Sequence, residues 1–180
     1  MTEHQKVITP VIEAEEILQR RAETLARNIE DSSTAERTTL MVFRVGEFWY
    51  AVRTEDVREI IQNLAVAPIP CVPEFVRGVL NVRGEIVSVT DGAVFLGSTA
   101  GSLGRDSVAV VLENAECQTA FVVDEVGGII EVPTTGVEPP LPVTGHAEPD
   151  LLVATVFLGD RLVSLLNVDR ILRPVSTVAQ

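Results

Sequence analysis

Long apolar runs, clustered histidines and paired cysteines are all missing from this sequence. No run approaches the roughly 18 apolar residues of a membrane-spanning helix. The opening MTEHQKVITP has no apolar segment ahead of a small-residue cleavage site, so it does not read as a signal peptide. Cys71 and Cys117 lie far apart and make no metal spacing. A cytoplasmic location with free thiols is therefore expected, with structural or incidental roles for both cysteines.

Positive charge is also scarce. Lys and Arg number 14 against 26 Asp and Glu, for a formal net charge of −12. Nucleic-acid binding needs a basic footprint, so that class is excluded, as is attraction to an anionic membrane. A basic protein partner is electrostatically acceptable.

Catalytic signatures are equally absent. The two histidines, His4 and His146, have no Cys, Asp or Glu at metal-site spacing, so neither metal nor cofactor is expected. There is no Gly-x-Ser-x-Gly elbow, phosphate-binding loop or dinucleotide fingerprint. Asp91 and Glu59 are conceivable as an acid–base pair, but solvated carboxylates at strand positions are far commoner. An enzyme is not expected.

What the chain does have is 180 residues with 46% apolar content, enough for a sizeable core. Residues 9–29 form the one long helical pattern. Thr9 suits an N-cap and Pro10 the first helical position. Val11, Leu18, Ala22, Leu25 and Ile29 make an apolar stripe, which either packs on the chain's own body or meets a partner or second copy. Residues 1–35 are read as a helical extension with a polar linker.

Beyond residue 35 the pattern becomes short Val/Ile/Leu runs bounded by Gly, Pro, Asn or Asp, a sandwich or barrel signature. Met41, Phe43 and Val45, then Phe48, Tyr50 and Val52, alternate about Gly46-Glu47 and predict a hairpin. Residues 91–96 and 167–172 predict short helices, the first closed by Gly97. Glu74–Arg77 after Pro73 suggests a helical turn stopping at Gly78.

Two segments recur in order. Residues 124–129 lie over 55–60, and 161–167 over 85–91, which suggests a duplicated β-unit. Gly127-Gly128 would cost a helix about 2 kcal/mol, so the second copy prefers a strand, and by analogy so does the ambiguous 54–61. The expected division is a first barrel over 36–98 and a second over 105–175.

The run from Phe75 to Asp91 holds two Arg-Gly steps, Arg77-Gly78 and Arg83-Gly84, each expected beside a bend. Arg offers a fixed donor fork suited to interfaces. The bland alternative is a solvated surface ion pair worth under about 1 kcal/mol.

The stretch Pro73-Glu74-Phe75-Val76-Arg77-Gly78-Val79-Leu80-Asn81-Val82-Arg83-Gly84-Glu85-Ile86-Val87 resembles the signature of CheW-like domains, the coupling proteins of bacterial chemotaxis. The resemblance spans roughly residues 38–173 and includes the 43–52 hairpin, 56–60, 122–126 and 162–167. It implies a mainly β fold of two SH3-like five-stranded barrels on a shared core, with the N-terminal amphipathic helix outside that module. It further implies a non-enzymatic cytoplasmic scaffold joining a chemoreceptor cytoplasmic tip to the regulatory domain of a CheA-type histidine kinase. Val57, Glu59, Asn81, Arg83 and Gly84 match the family's receptor-groove positions, and Arg77 is added as the second candidate arginine. Ser88, Gly92 and Ala154 depart from the pattern, where Pro, Leu and Gly are common. An alternative is a regulatory adaptor of a non-flagellar motility or developmental pathway, self-associating or competing for the kinase through its N-terminal helix.

Overall fold

Short β-branched runs separated by turn residues leave little room for helix, and the described residues are mainly β. The computed structural model describes residues 36–99, 107–140 and 149–173. The extension 1–35, with its expected helix, lies outside them.

Strands β1 (Arg37–Val45) and β2 (Phe48–Arg53) form the expected hairpin about Gly46-Glu47. One turn of 3₁₀ helix, Thr54–Asp56, leads into β3 (Val57–Gln62). A second hairpin follows, β4 (Val76–Val82) and β5 (Glu85–Asp91), and then the helix α1 (Gly92–Phe95). The second half supplies β6 (Val108–Glu113), β7 (Gln118–Val123), β8 (Glu125–Pro133) and β9 (Val137–Glu138). It ends in β10 (Leu152–Leu158), β11 (Arg161–Leu166) and α2 (Val168–Leu172).

Both short helices sit where sequence places them. Asp91 caps α1 by accepting from the Ala93 and Val94 N–H groups, and Asn167 caps α2 through the Arg170 N–H. The stretch after Pro73 differs: a single turn, closed by the Val76 N–H to the Pro73 carbonyl at 2.9 Å, gives way directly to strand. The Val57 segment is a strand, and so is its counterpart at Gly127-Gly128.

The strands build two sheets, a six-stranded one ordered β8-β1-β2-β11-β10-β9 and a five-stranded one ordered β3-β6-β7-β5-β4. β3 and β8 each flank a hairpin, and β5 and β11 each run parallel to a hairpin's second strand. The two pairs of segments matched in sequence thus hold equivalent positions.

The division into contiguous barrels at 36–98 and 105–175 needs correction. Hairpin β1–β2 joins the sheet of β8–β11, whereas β6–β7 joins that of β3–β5. Each copy gives its hairpin to the other's sheet. A local sequence match reports which segments are alike, not which hairpin each one pairs with.

Three apolar clusters follow from this exchange. Leu40, Val42, Ala51, Val156 and Val163, all on the six-stranded sheet, form the first. Leu80, Val87, Val89, Ala109 and Val111, all on the five-stranded sheet, form the second. Between the sheets, Met41, Phe43, Val45, Val110, Leu112 and Phe121 form a third, shared cluster. β1 and β6 therefore present alternate residues to two different cores, which is why Leu40 and Phe43, on opposite faces of β1, are both fully buried. The rings of Phe75, Phe95, Phe121 and Phe43 form a chain, with successive centroids 5.2, 6.0 and 6.1 Å apart.

Candidate partner-binding site

The β4–β5 hairpin closes on two residues. Val82 pairs with Glu85, leaving Arg83 and Gly84 at the turn with φ of +51° and +96°. Positive φ at both central positions is the mark of a type I′ turn, whose twist matches the flanking strands. Glycine accepts that conformation, whereas an Arg there costs about 1–2 kcal/mol. Asn81 compensates locally: its Oδ1 accepts the Gly84 N–H at 2.8 Å. Strain held by a residue that turn chemistry does not favour points to a use for its side chain.

That side chain is three-quarters exposed and reaches β3, where its Nη2 lies 3.2 Å from Glu59 Oε2. Glu59 is largely shielded, with 22% of its side chain exposed. Four of the expected residues, Glu59, Asn81, Arg83 and Gly84, are thus brought together at one end of the five-stranded sheet. Val57 opens the same strand as Glu59, opposite Leu112, and packs on the shared core between the sheets.

Arg77 stands apart. The sequence expectation of a bend at Arg77-Gly78 is not met: the β4–β5 register shifts between Val76 and Gly78, so Arg77 lies at a bulge inside a strand. Its Nε is 3.7 Å from Oδ2 of Asp91, a carboxylate almost wholly buried beneath it. Gly78 is needed here because a Cβ would stand 2.2 Å from the Ala67 carbonyl oxygen. Ala67 and Val79 exchange both backbone hydrogen bonds, at 2.8 and 2.9 Å. Beside Arg77 is an open cleft of 440 Å³ lined by Leu64, Val66, Pro68, Glu74 and Val76.

Sequence reasoning missed a cluster on the other side of Glu59. Arg58 donates to Glu85 Oε2 and, at 2.7 Å, to Gln118 Oε1. Gln118 Nε2 donates to the same Glu85 oxygen at 3.2 Å, and Glu113 lies 3.8 Å from Arg58. The Arg58 hydrogen bond, then that from Gln118, holds the Glu85 carboxyl below its ordinary range, and the hydrogen bond to Glu85 raises Arg58 in turn. Nothing local in the sequence marks this set, because its members come from β3, β5, β6 and β7.

No helix among the described residues is long and apolar enough to cross a membrane. The site offers a directed guanidinium, a shielded carboxylate and a rigid turn, which suits recognition of another protein's side chains.

The family model of the CheW-like domain matches residues 39–175. The chain belongs to the CheW-like family. Protein FrzA of Myxococcus xanthus is 29% identical over 133 residues, covering 73% of this chain and 82% of that protein. Chemotaxis protein CheW of Rhizobium meliloti is 26% identical over 132 residues, covering 73% and 85%. Protein PilI of Pseudomonas aeruginosa is 29% identical over 100 residues, 56% of each chain. Among solved structures, the scaffolding protein TtCheW from Thermoanaerobacter tengcongensis superposes with a TM-score of 0.67 at 26% identity, covering 73% of this chain and 90% of that one. The two-sheet, mainly β architecture is that of this CheW-like relative, and a coupling adaptor is the role the family supports.

Proposed function

We propose that this chain is a non-enzymatic cytoplasmic scaffold that couples the cytoplasmic tip of a chemoreceptor to the regulatory domain of a CheA-type histidine kinase. The observation that carries the reading is the Glu59–Arg83 pair, set by a strained turn within a CheW-like domain. Val57, Asn81 and Gly84 complete the receptor-facing site, and Arg77 flanks the separate cleft. Binding of the purified protein to a receptor-tip fragment and to a kinase regulatory domain, by calorimetry, tests it. Absence of binding to both at tens of micromolar would overturn it.

Each sheet is read as an SH3-like barrel on chain-length grounds. β8 and β9 lie at opposite edges of the six-stranded sheet, yet only Thr134–Gly136 links them. A flat sheet would hold those edges about 24 Å apart, whereas the link reaches about 14 Å. Curling into a closed barrel resolves the conflict. In the other sheet, Ala67 reaches the outer side of β4 only five residues after β3 ends, with the same consequence.

A second reading draws on residues 1–38, which precede the family match. In it, the amphipathic segment within 1–35 mediates self-association or competition for the kinase in a non-flagellar pathway. Deleting residues 1–35 separates the two: an unchanged oligomeric state and unchanged kinase activation remove the second reading.

A further inference from the structure

Glu59 is shared between two arginines. Its Oε2 faces Arg83 at 3.2 Å, and its Oε1 faces Arg58 Nε at 3.9 Å. The β3–β6 register shifts between Val57 and Glu59, which places Arg58 at a bulge. Strict strand alternation would send neighbouring side chains to opposite faces. The bulge instead lets Arg58 and Glu59 meet the same set of groups.

Arg58 is itself engaged from four strands. Glu85 on β5, Glu113 on β6 and Gln118 on β7 surround its guanidinium, with Glu59 from its own strand. Glu85 is the member that matters most for Arg83, because it follows Arg83 by two residues on the far side of the turn. A carboxylate two residues away in the chain can compete with Glu59 for the Arg83 guanidinium. Arg58, aided by Gln118, already occupies Glu85.

We infer that Arg58 is a positioning residue for the partner-binding arginine: by holding Glu85 it directs Arg83 toward Glu59 and into one presented geometry. This rests on the adaptor reading for its consequence in binding, but not for its effect within the free protein. A purely structural Arg58 would tie four strand ends together and would leave Arg83 indifferent to it.

The two roles separate with a suppressor. In Arg58→Leu, Glu85 is released to draw Arg83 away, and affinity for the receptor-tip fragment is expected to fall roughly tenfold, within the range of coupling between neighbouring groups. In Arg58→Leu/Glu85→Gln the rival charge is gone, Arg83 returns to Glu59, and affinity recovers to within about threefold of wild type. Arg58→Lys, which keeps a cation beside Glu85, also stays within that range. The Arg83 Nε–Hε NMR signal of the isolated protein is followed in parallel: it should move in Arg58→Leu and return in the double variant. An Arg83 signal unmoved by Arg58→Leu, or a double variant bound no better than Arg58→Leu, overturns the inference. If the signal moves and returns while the wild-type protein binds neither receptor tip nor kinase, the positioning role stands and the adaptor reading fails.

Discussion

Arg83 at the β4–β5 turn and Glu59 on β3 meet at 3.2 Å across one end of the five-stranded sheet. The pair joins the turn to the strand at the far edge of the sheet order. With its arginine three-quarters exposed, the pair adds about 1 kcal/mol or less to stability, no more than the strain its Arg carries. Under the proposed function, its value is in presentation.

Replacing Arg83 therefore separates binding from folding. Arg83→Glu should weaken receptor-tip binding by roughly tenfold or more, an interface-arginine effect, while the thermal midpoint stays within about 2 °C. Arg83→Gly relieves the left-handed turn position and should raise the midpoint by about 2–4 °C while binding is lost. Calorimetric titration and a thermal melt on the same samples check both. A large drop in melting temperature for either variant would make Arg83 a structural residue.

Gly78 makes a contrasting prediction, because its φ is +141° and Ala67 lies against it. Gly78→Ala should cost about 2 kcal/mol or more through strain and a displaced backbone bridge. Urea unfolding measures it. An unfolding midpoint equal to wild type would show that the loop before β4 moves aside freely.

Phe121 sits at the centre of the aromatic chain and is fully buried in the cluster shared by both sheets. Phe121→Ala should destabilise by about 3–5 kcal/mol. Hydrogen exchange should show loss of protection in both sheets, since the residue belongs to the core between them. Loss confined to β6 and β7 would mean that the sheets unfold separately.

The Glu85 carboxyl titrates low because Arg58, then Gln118, favours its charged form. A lowered carboxyl stabilises the fold above its unfolded range and loses that contribution as pH falls through the folded value. The melting difference between wild type and Glu85→Gln should therefore be present at pH 7 and shrink below about pH 4.5, vanishing once Glu85 is protonated in both states. Melts across pH 7 to 3 test this. A difference that persists unchanged at the acid end would assign the effect to the shape of the side chain rather than to its charge.

Features written in local chemistry were legible in the sequence. The hairpin about Gly46, the short helices that begin at Asp91 and Asn167 and the recurrence of 85–91 at 161–167 depend on residues close together in the chain. Features that depend on register over long separations were not. Met41, Phe43 and Val45 read as one buried face, but Leu40 and Val42 are buried too, because a second core lies behind β1. Arg77-Gly78 resembles Arg83-Gly84 in sequence, yet only the latter has a two-residue turn around it. Arg58 sat inside a matched segment without distinction, since Glu85, Glu113 and Gln118, which engage it, arrive on three other strands.

Under the proposed function, Arg83, held 3.2 Å from Glu59, is the receptor-facing group of a coupling adaptor. A calorimetric titration of wild-type and Arg83→Glu protein with a receptor-tip fragment tests it most directly, with the kinase regulatory domain titrated in parallel. Wild type should bind both, and Arg83→Glu should lose the receptor while keeping its fold. Equal receptor affinity for the two proteins would contradict it.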